Sequence, residues 1–222
     1  MNPGRFTKEF AIRRPHLFHV ASEGAWQCIL DQGMYSSAVV VRMAGLPSAE
    51  RNRLTAQRRG QPEDVALPGL GHVRLRDQHP INPQVLMRCL DGITVGNWYR
   101  LLSNRVFFYA NHRHALRMLK SYGNQVNDIL VFETATVLSR NQRRVEVTFC
   151  NSGATPRGVY PRSRSTFTPL NQLNPADLGR VQEVAISGRA DGVAAALERV
   201  TRHNPGGREE VVWLPLPAPA HP

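Results

Sequence analysis

Apolar residues run together or alternate in short segments along the chain, a pattern that is typical of buried or half-buried β-strands. These segments lie at 17–20, 106–110, 129–132, 145–149, 184–186 and 211–214. Elsewhere apolar residues recur with helical spacing, several times behind a serine, threonine or asparagine that can cap a helix. Helices are therefore predicted near 23–32, 82–90, 94–102, 112–122 and 193–200. Strands and helices alternate early and strands dominate late, which indicates the α+β class.

Two segments without clear periodicity interrupt this pattern. Residues 44–80 are rich in arginine, glycine, proline and glutamine, and residues 151–175 in glycine, proline, serine, threonine and arginine. Both are predicted to be long loops, which are usually functional or mobile when they lie inside a compact domain. Residues 1–12 are expected to be loosely ordered, residues 13–214 to form one domain, and residues 215–222 to be an extended, proline-rich tail.

The charge of the chain narrows the classes of partner. Among the 222 residues, lysine and arginine number 28 and the acidic residues 17, which gives a formal net charge of +11. All of the cations except Lys8 and Lys120 are arginine. A basic, arginine-rich chain attracts polyanions, because arginine binds phosphate bidentately and stacks on bases. The alternative is that the arginine excess reflects the codon usage of a GC-rich genome.

Composition also disfavours several classes of protein. An apolar content of 41% is ordinary for a globular domain. The apolar runs, such as residues 38–41, are far shorter than the ~18 residues of a membrane span. No apolar stretch behind Met1 is long enough for a secretory signal, so we expect a cytoplasmic protein with no membrane partner. Cys28, Cys89 and Cys150 lie far apart and are interpreted as free thiols of a reducing compartment.

Common catalytic motifs are missing from the sequence. Gly69 and Gly71 form a G-x-G, but Arg74 occupies the place of the third glycine of a dinucleotide-binding fingerprint. There is no phosphate-binding loop of the Walker type, no G-x-S-x-G and no H-E-x-x-H. His112 and His114 are two residues apart on a predicted helix and so point to different faces, which argues against a metal site.

Three segments of the chain, in order, resemble ADP-ribosyltransferases. They are LFHVAS at residues 17–22, RVFFYAN at 105–111 and RVQEVAI at 180–186. Their order and spacing, over residues 16–202, look most like the DarT-like toxins that ADP-ribosylate nucleic acid. The resemblance is one of pattern rather than of continuous identity. It implies a split, mixed or antiparallel sheet core with flanking helices, to which the two long arginine-rich loops would be attached.

The resemblance also implies roles for individual residues. His19 would hydrogen-bond a ribose hydroxyl of NAD, and Glu183 would be the catalytic glutamate. The tyrosine of the family's aromatic strand falls on Phe107, with Tyr109 two residues later on the same face, and either ring could wall the nicotinamide pocket. The residue types suit the chemistry, because one carboxylate near the ribose can stabilise the cation that develops when nicotinamide leaves.

Arginines of the two loops are the candidates for binding phosphate. In the DarT-like enzymes an arginine after the first helix serves the cofactor, and Arg51, Arg53, Arg58 and Arg59 all compete for that role here. The segment 76–78, Arg-Asp-Gln, is a further polar cluster that could face the cleft. The second loop, at the position of the family's substrate-recognising segment, carries Arg157, Arg162 and Arg164, which would suit a phosphate backbone.

Three hypotheses about function remain open at this level. The leading one is an NAD-dependent mono-ADP-ribosyltransferase that modifies single-stranded DNA or RNA, as a toxin or phage-defence effector with an antitoxin protein as a candidate partner. In the second, the same fold modifies a protein or a small molecule. In the third, the scaffold is a non-enzymatic module that binds nucleic acid or protein, with Glu183 dispensable.

Overall fold

A computed structural model describes residues 3–155 and 160–216, with side chains from residue 7 onward. The helices in these residues are α1 (Pro3–Arg13), α2 (Ala25–Gln32), α3 (Ser37–Met43), α4 (Ser48–Ala56), α5 (Pro83–Cys89), α6 (Val95–Ser103), α7 (His112–Ser121), α8 (Thr134–Asn141) and α9 (Val193–Ala196). The strands are β1 (His16–Ser22), β2 (Met34–Tyr35), β3 (Glu63–Leu67), β4 (Gly71–Leu75), β5 (Arg105–Tyr109), β6 (Asn127–Glu133), β7 (Val145–Thr148), β8 (Thr168–Pro169), β9 (Glu183–Ser187), β10 (Arg189–Ala190), β11 (Leu197–His203) and β12 (Glu209–Trp213).

One large antiparallel sheet organises the described part of the chain. Eight strands follow one another in the order β12, β11, β6, β1, β5, β9, β7 and β8, and every neighbouring pair is antiparallel. Helices cover both faces, which confirms the α+β class predicted from the sequence. The strand predicted at residues 211–214 is present as β12, at one edge of the sheet.

Of the neighbouring strands in the sheet, β1 and β5 share the shortest pairing. β1 pairs with β6 along its whole length, from His16 opposite Glu133 to Ser22 opposite Asn127. Between β1 and β5, by contrast, the described residues form a single register pair, Phe18 opposite Tyr109. The sheet therefore consists of two antiparallel halves, β12-β11-β6-β1 and β5-β9-β7-β8, that touch at one point.

The main hydrophobic core lies on one face of this sheet and spans both halves. Alternate residues of the central strands point into it, among them Leu17, Phe108, Leu130 and Ile186. Helices α1, α2, α8 and α9 pack over this face, because their contacts are with β6, with one another and with the short turns before β9. The two halves of the sheet are thus held together chiefly by the layer of helices on this side.

Two smaller hydrophobic clusters cover the opposite face of the sheet. The α7 cluster contains Ala115 together with Val20 and Val131 of the sheet. The α6 cluster contains Trp98 and Phe167, packed on Ala185 of β9. Tyr109 joins the α7 cluster, and Glu183 lies in the next strand beside it.

The prediction of a long loop over residues 44–80 is wrong. This segment contains helix α4 and the hairpin β3–β4, whose inward residues Val65, Leu67 and Leu75 pack with Val40 and Leu54 in a core of their own. The period of two residues is present in the sequence. It is obscured by the charged residues on the outer face and by the glycine-rich turn between the strands, where Gly69 and Gly71 have positive φ values.

Two further expectations are corrected by the structure. Residues 3–13 form helix α1 rather than a loosely ordered segment, because Phe10 is buried in the main core. The helix predicted at residues 193–200 ends after one turn, and residues 197–203 continue as β11, whose pairing with β6 fixes an extended backbone. Helix α8 had not been predicted.

The second predicted loop is largely irregular in the structure. Between residues 160 and 180 it contains three short 3₁₀ turns, at Arg164–Thr166, Leu170–Gln172 and Pro175–Arg180, and the two-residue strand β8. Residues 156–159 and most of the proline-rich tail, residues 217–222, lie outside the described part. None of the helices in the described residues is long and apolar enough to cross a bilayer.

The docking of α1 can be tested by truncating one side chain of the helix. Phe10 is fully buried in the main core, so Phe10→Ala should lower the free energy of unfolding by about 3–5 kcal/mol. Ile12→Ala is the matched control, because Ile12 is 81% exposed in the same helix and should cost less than about 0.5 kcal/mol. Urea denaturation of the two variants measures the difference. Equal and small losses would show that α1 is not docked.

Candidate active site

Glu183 is the middle member of a row of three polar side chains on the face of the sheet that α6 and α7 cover. It is the first residue of β9, and it pairs with Tyr109 of β5 on one side and Thr148 of β7 on the other. Directly opposed residues of antiparallel strands project from the same face, so the three side chains lie next to one another. All three are buried, and Glu183 is only 2% exposed.

The carboxylate of Glu183 is held by one of its two oxygens. Oε2 accepts hydrogen bonds from the Ser152 N–H at 2.9 Å, the Ser152 hydroxyl at 2.7 Å and the Thr148 hydroxyl at 3.3 Å. Oε1 accepts no hydrogen bond from residues 3–155 or 160–216. One oxygen is thus fixed in place while the other is available to a bound molecule.

The environment of Glu183 shifts its pKa close to neutral pH. Burial raises the pKa of Glu183 to about 7, although the Ser152 and Thr148 donors and the nearby Arg162 lower it. A buried carboxyl group that is half ionised near neutral pH, with one oxygen that accepts no hydrogen bond from the described residues, is typical of a functional group rather than of a structural one.

Arg162 holds the loop at residues 151–154, which contains Ser152, in place. It is 1% exposed, and its guanidinium donates to the carbonyls of Asn151 (3.2 Å) and Ala154 (2.5 Å). Ser152, between those carbonyls, donates to Glu183. The loop at 151–154 is therefore tied to Arg162 by its carbonyls and to Glu183 by its donors. This burial leaves no guanidinium surface with which Arg162 could contact nucleic acid directly.

His19 lies where the two halves of the sheet separate. One residue after the single β1–β5 pair, its Nδ1 forms a 2.8 Å hydrogen bond with the main-chain oxygen of Phe107. Burial and, to a smaller extent, Arg76 lower the pKa of His19 to about 4, against the opposite effect of the Phe107 carbonyl. The imidazole is therefore neutral at pH 7. Because a carbonyl only accepts, Nδ1 carries the proton and Nε2 is an acceptor.

Arg76 connects His19 with the Glu183 row. Its guanidinium donates to the Val20 carbonyl (2.9 Å) and to the side-chain oxygen of Asn127 (2.6 Å), and it lies 4.0 Å from the centre of the Tyr122 ring. It influences the pKa of Tyr109 as well as that of His19. Burial, the Glu183 carboxylate and Tyr122 all raise the pKa of Tyr109, so its phenol stays protonated.

The structure places Tyr109 beside Glu183, and Arg76 influences the pKa of both Tyr109 and His19. By strand alternation His19 lies on the face of β1 that carries Leu17 and Ala21, and its ring is next to Phe108 of the main core. Phe107 is placed differently from the expectation. The Phe107 ring packs against Phe167, with ring centres 6.1 Å apart, in the α6 cluster. Its contribution next to His19 is the main-chain carbonyl. Of the two aromatic residues singled out in the sequence, Tyr109 is the one beside Glu183.

The arginines expected to bind the cofactor are engaged elsewhere. Arg53 forms exposed ion pairs with Glu50 and Glu63. Arg59 is buried and donates to the carbonyls of Leu54 and Arg76, which fixes the connection between α4 and the site. The remaining candidates also lie apart from Glu183: Arg51 is exposed on α4, and Arg58 donates to the carbonyls of His79 and Ile81.

The arginines predicted to bind substrate have three different placements. Arg162 is buried behind the loop, as described above. Arg164 is exposed on the first 3₁₀ turn. Arg157 lies outside the described residues. In the described part of the chain, no group of three or more histidine, cysteine or acidic side chains is arranged to hold a metal ion.

Comparison with known families places the chain in a group without an assigned activity. Residues 15–197 match a family described as a family of unknown function, DUF7002. The chain belongs to the DUF7002 family. No curated protein and no solved structure gave a significant match. The matched residues include His19, Arg76, Tyr109, Ser152 and Glu183, so the whole site lies within the DUF7002 region.

Several residues of the DUF7002 site were not assigned from the sequence. Ser152 and Thr148 surround Glu183, and Tyr122 and Asn127 surround Arg76. Thr148 could have been found, because it follows the alternating residues Val145 and Val147 and so belongs to the same strand. Ser152 gives no such signal, since only the path of the loop brings it to the carboxylate.

The buried carboxylate of this DUF7002 protein should lower its stability at neutral pH. Between the ordinary pKa of 4.5 and the raised value of about 7, the folded state holds a proton that the unfolded state releases, so stability falls as the pH rises. We expect Glu183→Gln to raise the free energy of unfolding, by about 2–3 kcal/mol more at pH 8 than at pH 5.

Denaturant titrations at the two pH values measure this difference. Glu210→Gln, an exposed glutamate of β12, is the control and should show no such pH dependence. A gain for Glu183→Gln that is equal at pH 5 and pH 8 would contradict the raised pKa.

Proposed function

We propose that this protein is an NAD-dependent mono-ADP-ribosyltransferase that modifies single-stranded nucleic acid. The observation that carries the proposal is the site at the split of the sheet. There a neutral histidine of β1 lies at the edge of the split, and a buried tyrosine of β5 adjoins a glutamate of β9 whose Oε1 accepts no hydrogen bond from the described residues. These are the three strands in which the sequence resembles ADP-ribosyltransferases.

Glu183 has the properties that the transfer reaction requires. When the bond between nicotinamide and ribose breaks, nicotinamide leaves with the electron pair and positive charge develops on the sugar. The ionised Glu183 stabilises that charge through Oε1, while Ser152 and Thr148 keep the group in place through Oε2. The acceptor then forms a bond to the ribose carbon and gives up a proton.

His19 and Arg76 suit the binding of the dinucleotide. The unprotonated Nε2 of His19 can accept a hydrogen bond from a ribose hydroxyl, and the bond to Phe107 prevents the ring from turning. Arg76, partly buried between His19 and Tyr109, is the cation of the described residues that we assign to the diphosphate, in place of Arg51, Arg53 and Arg59.

The net charge of +11 favours a polyanionic acceptor. A base has to be unpaired before it can reach a buried carboxylate, so a single strand is the natural substrate. Modification of nucleic acid harms the cell that makes the enzyme. A role as toxin or defence effector, controlled by an antitoxin protein, therefore belongs to the same proposal.

Release of nicotinamide from NAD tests the activity. The purified protein should release nicotinamide in the presence of single-stranded DNA or RNA, and Glu183→Gln should reduce the rate by about 10²–10³-fold, as for loss of another group that stabilises charge in a transition state. Glu210→Gln is the matched control and should retain full activity. Release that requires a cell lysate instead would indicate a protein or small-molecule acceptor. No release under any of these conditions would refute the enzyme.

The role of Ser152 can be separated from a purely structural one by the pH profile. Activity should rise with pH through about 7 as Glu183 ionises. Ser152→Ala removes one donor to the charged form, so the pKa of Glu183 and the midpoint of kcat/KM against pH should move upward by about one unit. Ser165→Ala, an exposed serine nearby in the chain, should leave the midpoint unchanged. A lower rate with an unchanged midpoint would show that Ser152 does not tune Glu183.

A further inference from the structure

The outer face of α7 carries a row of exposed cations. Arg113 and Arg117 are four residues apart and Lys120 follows three residues later, so the three side chains share one face of the helix. At about 1.5 Å of rise per residue, the row extends along roughly 10 Å of the helix axis. The helix contains no acidic residue. This row is called the α7 basic face below.

The charges of the α7 basic face are not compensated within the described protein. Some surface arginines elsewhere are paired with carboxylates, as Arg53 is with Glu63, Arg74 with Asp64 and Arg180 with Asp177, whereas others, such as Arg42 and Arg88, form no ion pair with a described residue. No ion pair of the described residues includes Arg113, Arg117 or Lys120. These cations are therefore free to bind an anion from solution.

A second observation shows that the cations crowd one another. Burial, and then Arg117, Arg113 and Arg14, lower the pKa of the half-buried His114. Arg14 comes from the end of α1, so two separate elements bring positive charge to the same place. The Nε of Arg14 and the Nδ1 of His114 are buried without a hydrogen-bond partner in the described residues. A bound anion would relieve this repulsion.

The placement of Arg113 is unfavourable for the helix itself. The first turn of a helix carries a partial positive charge, so a cation there is destabilising by a few tenths of a kcal/mol. Acidic residues favoured at such a position are absent, and the cap is the neutral Asn111. Acidic side chains do approach the helix start, because Glu209 and Glu210 line a groove with His112. Glu209 contacts His203 at 3.2 Å, and Glu210 raises the pKa of Arg202.

Both ends of α7 are connected to the site. The helix begins three residues after Tyr109, and the Ala110 N–H donates to the carbonyl of Gln182, the neighbour of Glu183. It ends at Ser121, and the ring of the next residue, Tyr122, lies against Arg76. Its inner face, with Ala115, packs on the sheet and leaves the opposite face to solvent. The helix is thus linked at both ends to residues near Glu183 and Arg76.

We propose that the α7 basic face binds the phosphate backbone of the single-stranded nucleic acid whose base enters the Glu183 site. This inference rests on the proposed function for the identity of the acceptor. Phosphate is the ligand that matches a row of unpaired arginine and lysine side chains, and backbone contacts position a strand without reading its sequence.

Binding by the Glu183→Gln protein tests this proposal without any reaction. The triple variant Arg113→Gln, Arg117→Gln, Lys120→Gln is compared with a control that removes the same charge from other exposed positions, Arg42→Gln, Arg88→Gln, Arg143→Gln. Fluorescence anisotropy with labelled single-stranded DNA and, separately, RNA is measured from 50 to 300 mM salt. The α7 triple variant should bind about 10–100-fold more weakly, with a salt slope smaller by about 2, and the control should change little.

The outcomes separate this proposal from the proposed function. Equal loss of affinity in both triple variants, or no binding by the parent protein, would overturn the assignment to α7. A selective loss in the α7 variant, with no nicotinamide release by the wild type, would leave the binding face intact and refute only the enzyme. The DNA and RNA probes show which backbone is preferred.

Discussion

The hydrogen bond between His19 and the main-chain oxygen of Phe107 determines the architecture around the site. Neighbouring strands lie about 4.8 Å apart when their ladder is complete, which leaves no room for an imidazole between them. Here the β1–β5 ladder stops at the Phe18–Tyr109 pair, and a side chain takes over the bonding of the next carbonyl. The two halves of the sheet can therefore diverge without leaving that carbonyl unpaired. The main core, on the face that α1, α2, α8 and α9 cover, contains residues of both halves and keeps the two halves together.

Placing Glu183 beside this divergence is unfavourable for folding. A pKa of about 7 means that the ionised form of this carboxyl is disfavoured, and the buried surroundings that cause this also keep water away from the group. The protein compensates locally with three donors on one oxygen. Stability given up at such a point is typical of functional sites, which retain charges that a core optimised for stability would exclude.

The sequence was most informative where a hydrophobic pattern coincided with a cap or a turn. Helices α5, α6 and α7 begin directly after Asn82, Thr94 and Asn111, whose side chains accept hydrogen bonds from the first turn of each helix. The hairpin β3–β4 is not evident from the hydrophobic pattern, because its strands are short and carry charged residues on the outer face. The end of the predicted helix 193–200 depended on pairing with β6, a contact between distant residues that no local pattern reveals.

For the site, strands could be predicted but loops could not. Tyr109 and Glu183 lie on strands whose patterns are clear, and the two residues are paired in the structure. His19 also lies on such a strand, where it bonds to the Phe107 carbonyl. The arginines were harder to place, because the sequence does not show which cations find an acidic partner, as Arg53 does, and which are buried, as Arg162 is. The loop at 151–154 illustrates the consequence of such hidden contacts. Because Ser152 supplies two of the three donors on Glu183, a displacement of that loop that leaves the carboxylate buried deprives it of them and makes it bind a proton more tightly. The position of the loop and the protonation of Glu183 are thus linked equilibria.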